Sequence, residues 1–175
     1  MVNRIAILFF FVAAMAFCDQ EDTVMKFIID SMTLVAENGE CIAFREDYED
    51  VIRKDIEIVR EYDLEMYEGI KFRKIDYGTF SILFEVDFKV RNIYITEPGP
   101  RLLNGIAIGE SLEDFLEDLQ NEPRYQIRLF ERDSYLLIEF TEFFDMRRGG
   151  YIPVIFVRYD ENRKVSYINA GWEWP

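Results

Sequence analysis

Histidine does not occur in this 175-residue chain. Imidazole is the side chain that exchanges protons near neutral pH, so Ser-His-Asp and Cys-His catalysis are excluded, as are zinc sites built on Cys and His. Cysteine is nearly absent too: Cys18 and Cys41 stand alone, too few for a disulfide framework. Basic charge is scarce, with 20 Lys and Arg against 34 Asp and Glu and a formal net charge of -14. Such a surface repels phosphate backbones and anionic headgroups. Nucleic acid is therefore not an expected partner, and a membrane is expected only through a leader or a lipid anchor. Apolar side chains are abundant by contrast: half of the residues are hydrophobic and 16% are aromatic, which supports one packed domain.

The longest apolar run opens the chain. Arg4 precedes an unbroken stretch from Ile5 to Phe17, and Asp19, Glu21 and Asp22 follow at once. A charged start, a short apolar middle and small residues before a polar region describe a secretory leader over residues 1–17. Ala14 and Ala16 form an A-x-A cleavage signal that would release a chain beginning at Phe17. Cys18 offers an alternative, because an apolar run ending at cysteine is also a lipidation signal, although Phe17 stands where a small residue is usual. Unmodified in an oxidising compartment, Cys18 is a candidate disulfide partner for Cys41; acylated, it leaves Cys41 a lone thiol, expected to be buried.

Residues 18–45 read as a helical and linking segment. Val24, Phe27, Ile28 and Val35 share a face of a helix over 22–38 that Gly39 stops, and "CIAF" is a short strand. One α+β domain is expected over 46–175, with candidate halves 46–96 and 103–175. "DYEDVIRKDIEIVREYDL" reads as a helix capped by Asp47, yet "DIEIV" alternates as well. Period two then takes over: Phe80, Ile82, Phe84, Val86, Phe88 and Val90 are all even-numbered, the mark of a half-buried antiparallel strand or strand pair. After Arg91 and Asn92 the apolar set moves to Ile93 and Ile95, a slip that predicts a bulge or tight turn.

"LNGIAIGESLEDFLEDL" follows the proline-bounded "EPGP". Ile106 and Ile108 suit an extended segment, Gly109 suits positive φ, and Ser111 caps a helix with Asp114 as its capping-box partner. Leu112, Phe115, Leu116 and Leu119 then form an i, i+3, i+4, i+7 stripe. Four strands are expected after Pro123, with turns at Asp133-Ser134, "DMRRGG" and "DENRK". Trp172 and Trp174 on the last strand, with Tyr151, form a candidate partner patch or else core packing. The acidic pairs lack the spacing of a calcium loop, and no cofactor, metal or catalytic residue is implied.

"GIAIGESLEDFLEDL", followed by hairpins and a closing "FVRYDENRKVSYINAG", resembles small exported bacterial envelope proteins in which GIxIGxSxxxxxxxL precedes a meander. These are the BamE-like small lipoproteins and, as a tandem pair, β-lactamase-inhibitor-protein-like domains. The likeness runs from about Ile93 to Gly171, with the N-terminal third as a candidate worn copy; the glycine of the family's Gly-x-Pro is missing from "LQNEPR". It implies an antiparallel β-meander sheet with helices on one face and a binding or scaffold role at the cell envelope. The expected function is an exported or lipid-anchored protein acting by protein–protein binding. A secreted acidic inhibitor or immunity-type protein capping a basic target site is the alternative, and a carboxylate-pair hydrolase comes third.

Overall fold

The computed structural model describes residues 26, 28–66, 69–85, 88–120, 127–140 and 152–173. It is mostly antiparallel sheet with little helix. Strands β3 (Arg60–Met66), β4 (Ile70–Asp76), β5 (Phe80–Phe84) and β6 (Val90–Ile95) lie side by side in chain order. So do β8 (Ile127–Arg132), β9 (Tyr135–Phe140), β10 (Ile152–Tyr159) and β11 (Val165–Glu173). The two sets join where β6 pairs with β11, giving one eight-stranded sheet in the order β3-β4-β5-β6-β11-β10-β9-β8. A second, small sheet pairs β1 (Leu34–Val35) with both β2 (Cys41–Ile42) and β7 (Arg101–Leu102). Besides a helical turn over 28–31, the described residues form the helices α1 (Tyr48–Val51) and α2 (Leu112–Gln120).

One hydrophobic core binds these parts. Val51 of α1, Leu112 and Phe115 of α2, and Leu34 and Leu102 of the small sheet pack with Ile75, Ile82, Ile93, Ile138, Val157 and Ile168 of the large one. Burying a side chain of this size contributes about 1.5–3 kcal/mol, so the few helical residues secure their elements through packing rather than through helix length.

Two helix expectations are corrected. Within 22–38 the described helix covers only residues 28–31 besides residue 26, and Leu34–Val35 is a strand. Thr33 ends the helix by donating its hydroxyl to the Ile29 carbonyl (2.7 Å), and β1 is then claimed from both sides by β2 and β7. The helix expected from Asp47 lasts four residues, and Asp47 makes no side-chain cap bond. Its carboxylate instead takes Lys89 at 2.8 Å, and Arg60–Met66 pairs along its whole length with β4. The alternating "DIEIV" lies outside any strand, and β3 forms only beyond it, where Arg60–Met66 finds a partner in β4.

Other readings are met directly. Gly109 has φ +88°, and the Asp114 amide donates to Ser111 Oγ at 3.4 Å, so Ser111 caps α2. The slip after Arg91 is a bulge: Leu83 pairs with Asn92 but Phe84 with Val90, leaving Arg91 as the extra residue on β6. Asp133 and Ser134 form the two-residue turn between Arg132 and Tyr135, with Asp133 at φ +51°. The leader residues, including Ala14, Ala16, Phe17 and Cys18, lie outside the described residues, as do Tyr151, Trp174 and the "DMRRGG" turn.

Candidate functional site

Side chains alternate between the two faces of a strand, and the register assigns each residue of the large sheet to a face. The core face carries Ile75, Ile82, Ile93, Ala170, Ile155 and Ile138. The opposite face is differently made. One row runs across all eight strands as Arg60, Asp76, Ser81, Tyr94, Asn169, Phe156, Leu137 and Phe130. The neighbouring row contains Tyr62, Lys74, Leu83, Asn92, Gly171, Val154, Glu139 and Arg128.

This second face is aromatic and cationic. Arg60 stands 4.7 Å from the Tyr62 ring and Lys74 5.0 Å from the Tyr94 ring. Arg158 lies 5.7 Å from each of the Phe156 and Tyr167 rings, and Tyr135 continues the group at 5.2 Å from Phe156. Phe72, Leu83 and Val154 are buried beneath these side chains yet stand apart from the main core. Burial pushes the Tyr94 phenol up to about 12, and it raises Tyr167 as well. Phe130, at the edge strand, is 48% exposed.

Charge is divided by face. Arg60, Lys74, Arg128, Arg132 and Arg158 share the second face with the carboxylates Asp76, Glu139 and, by register, Glu173, and Glu85 is paired with Arg91, whose guanidinium stands 5.4 Å from the Phe72 ring. Among the described residues none of those five cations is in a salt bridge. Exposed acids lie on the other side of the edge strands, Glu61, Asp63 and Glu65 on β3 and Glu131 on β8, and on the helices, Glu49 and Asp50 on α1 and Glu113, Asp114 and Glu117 on α2.

Two other side-chain clusters lie outside this face. A cleft of about 580 Å³ beside α1 is lined by Asp47, Tyr48, Glu49, Asp50, Arg73 and Phe88. Its cation is already matched. Arg73 donates to Asp63 (3.0 Å), lies 3.5 Å from Glu61, and stands 5.4 Å from the Tyr48 ring and 5.7 Å from the Phe88 ring. Tyr48 in turn donates its hydroxyl to Glu61 at 2.8 Å, and burial raises the Tyr48 phenol. Below lies Tyr77, a buried hydroxyl with no hydrogen-bond partner among the described residues.

The other cluster is a clasp. Arg163, at the β10–β11 turn with φ +60°, donates to Glu113 of α2 at 2.5 Å and also to Glu131 of β8. Tyr159 donates its hydroxyl to the same Glu131 at 2.9 Å. The Arg163 guanidinium holds both carboxyls below the usual carboxylate range. A carboxylate pair that does acid catalysis needs one member raised, so this pair ties helix to sheet instead. Glu113, rather than Asp114, is thus the acid engaged at the start of α2.

The residues singled out from sequence are scattered. Cys41 is free and exposed, which corrects its expected burial: it sits at the rim of the small sheet, its thiol 3.7 Å from the Gly39 carbonyl. Trp172 is half-buried, its ring 5.2 Å from the core residue Phe44. It points to the core side, away from the cationic face. The second face was not anticipated, although its signal was present in the residues alternating with the core set, such as Tyr94, Phe156 and Arg158.

No family model, curated protein or solved structure matches this chain.

Proposed function

We propose that this is an exported protein, free or lipid-anchored at Cys18, that acts by protein–protein contact through the second face of its large sheet. The observation that carries the reading is the row of rings on that face, with cations that have no salt bridge among the described residues. Aromatic side chains and arginine are the usual anchors of protein interfaces, since they offer large contact area at low entropic cost. The apolar run from Ile5 to Phe17, with its A-x-A signal, supports export.

The fold is read here as α+β, a worn tandem of two helix-plus-strands units over 46–96 and 103–175. In support, each unit has four strands in chain order, and each contributes its last strand, β6 or β11, to the junction. Two copies related by an approximate two-fold axis through the sheet would place their strands in this order.

Site-specific photo-crosslinking tests the contact. A photoreactive residue at Phe130 should yield a protein adduct in extracts of the source cells, and one at Glu117 on the helix side should not. Absence of an adduct at position 130, or adducts at 117 alone, would overturn the reading. Export is tested by the mass of the chain recovered from those cells. It should begin at Phe17 or carry an acylated Cys18; residues 1–17 still attached would refute it.

A further inference from the structure

We propose that the partner on the second face is an acidic, extended segment of another protein. Its carboxylates would lie over Lys74, Arg158 and Arg132, and its apolar side chains against Phe130 and Leu137. The inference rests on the protein-contact reading and adds the partner's chemistry to it.

Sign is the first argument. In a chain of net charge -14, a surface patch taken at random should be acidic. Here Arg60, Lys74, Arg128, Arg132 and Arg158 outnumber Asp76, Glu139 and, by register, Glu173, while Glu85 is already matched by Arg91 at 2.8 Å. The second argument is the state of those cations. Having no salt bridge among the described residues, they have not spent their attraction internally. The rings beneath Lys74 and Arg158 remove water from one side, which strengthens their pull on an incoming carboxylate.

Span is the third. Lys74 on β4 and Arg132 on β8 are six strand spacings apart in the sheet order, about 29 Å at ~4.8 Å per strand. An extended segment rises ~3.3 Å per residue, so about nine residues cross the face. Every second side chain of such a segment points at the face, so acidic and apolar residues taking turns at those positions would meet the cations and the rings.

A nucleic acid would also find rings and cations here, but it fits less well. Its phosphates are continuous, so the field of the whole acidic chain opposes it along its length. Glu139 and Asp76 interrupt the track besides. A peptide carrying a few carboxylates avoids both penalties.

The test uses fluorescence anisotropy with a labelled nine-residue peptide, Glu-Ser-Leu-Ser-Glu-Ser-Leu-Ser-Glu, whose Glu and Leu side chains share one side when the chain is extended. Controls are its Lys-for-Glu counterpart, a thymidine oligonucleotide and phosphatidylglycerol vesicles. Binding of the Glu peptide, weakening with added salt, is expected. Lys74→Glu with Arg158→Glu should weaken it by about tenfold or more, and Glu117→Lys on the helix side should leave it unchanged. If the double reversal fails to fold by near-ultraviolet circular dichroism, Lys74→Gln with Arg158→Gln replaces it, with a smaller weakening in the same direction. The proposal is overturned if the Lys peptide binds as well, if the oligonucleotide or vesicles bind more tightly, or if the variants bind like the parent. Salt-sensitive self-association of the chain, with its own acidic helices on this face, would also overturn it. Failure of the Glu peptide with adducts retained at position 130 would refute the acidic chemistry alone; loss of both would refute the protein contact as well.

Discussion

Gly171→Ala probes the junction on which the large sheet depends. Gly171 lies on β11 opposite Asn92 of β6, within a ladder of only four residue pairs. A Cβ at Gly171 would stand 2.5 Å from the Arg91 carbonyl oxygen and closer still to the Asn92 side chain. An ordinary carbon–oxygen contact is about 3.3–3.6 Å, so the overlap with fixed backbone approaches 1 Å. Overpacking of this kind costs about 1–3 kcal/mol. Asn92 can turn aside only by giving up its 3.0 Å hydrogen bond to Asn169, worth about 1 kcal/mol. The expected loss is therefore about 2–4 kcal/mol, or roughly 5–15 °C in Tm for a chain of this length. Urea unfolding followed by tryptophan fluorescence would measure it. Adding Asn92→Ala should recover only part of the loss, because the Arg91 carbonyl remains in place. A change below about 0.5 kcal/mol in Gly171→Ala would refute the close approach of β6 and β11.

Three further outcomes are expected. Glu113 and Glu131 are depressed below their ordinary value of 4.5 by Arg163, so their contribution is present above that pH and lost as pH falls through the folded values. Arg163→Gln should flatten this acid dependence in pH-resolved denaturation, and an unchanged profile would discount the clasp. Tyr77→Phe removes a buried hydroxyl that has no partner among the described residues and should be neutral or stabilising by up to about 1 kcal/mol; clear destabilisation would reveal a hydrogen bond. In ultraviolet titration, Tyr77 and Tyr94 should ionise near 12, after phenols of ordinary value 10. Their raised values mean that stability is intact below pH 10 and falls as pH climbs toward 12. All tyrosines ionising together in the folded chain would contradict their burial.

Local signals in the sequence were good guides wherever one element could satisfy them alone. Leu112 and Phe115 form the buried stripe of α2, Leu136, Ile138 and Phe140 alternate inward on β9, and the slip at Arg91 is a real bulge. The segment 47–64 was not decidable locally. Val51, Ile52, Ile56 and Val59 fit a helix, but β4 captured Arg60–Met66 as a strand. The small sheet was hidden for the same reason, since Leu34 pairs with Leu102 far along the chain. The second face was half visible. Its rings and cations occupy the positions that alternate with the core, but their convergence requires the pairing of β6 with β11, and no local pattern encodes a contact between Asn92 and Gly171.

That pairing also bears on how the chain is made. β5 covers one side of β6, and its other side waits for β11, at residues 165–173. Until that segment emerges from the ribosome, strands β3 to β6 present a bare row of backbone donors and acceptors along β6. Such an edge adheres to chaperones and to sister chains alike, so truncating the chain before Val165 would yield aggregates rather than a stable half-molecule.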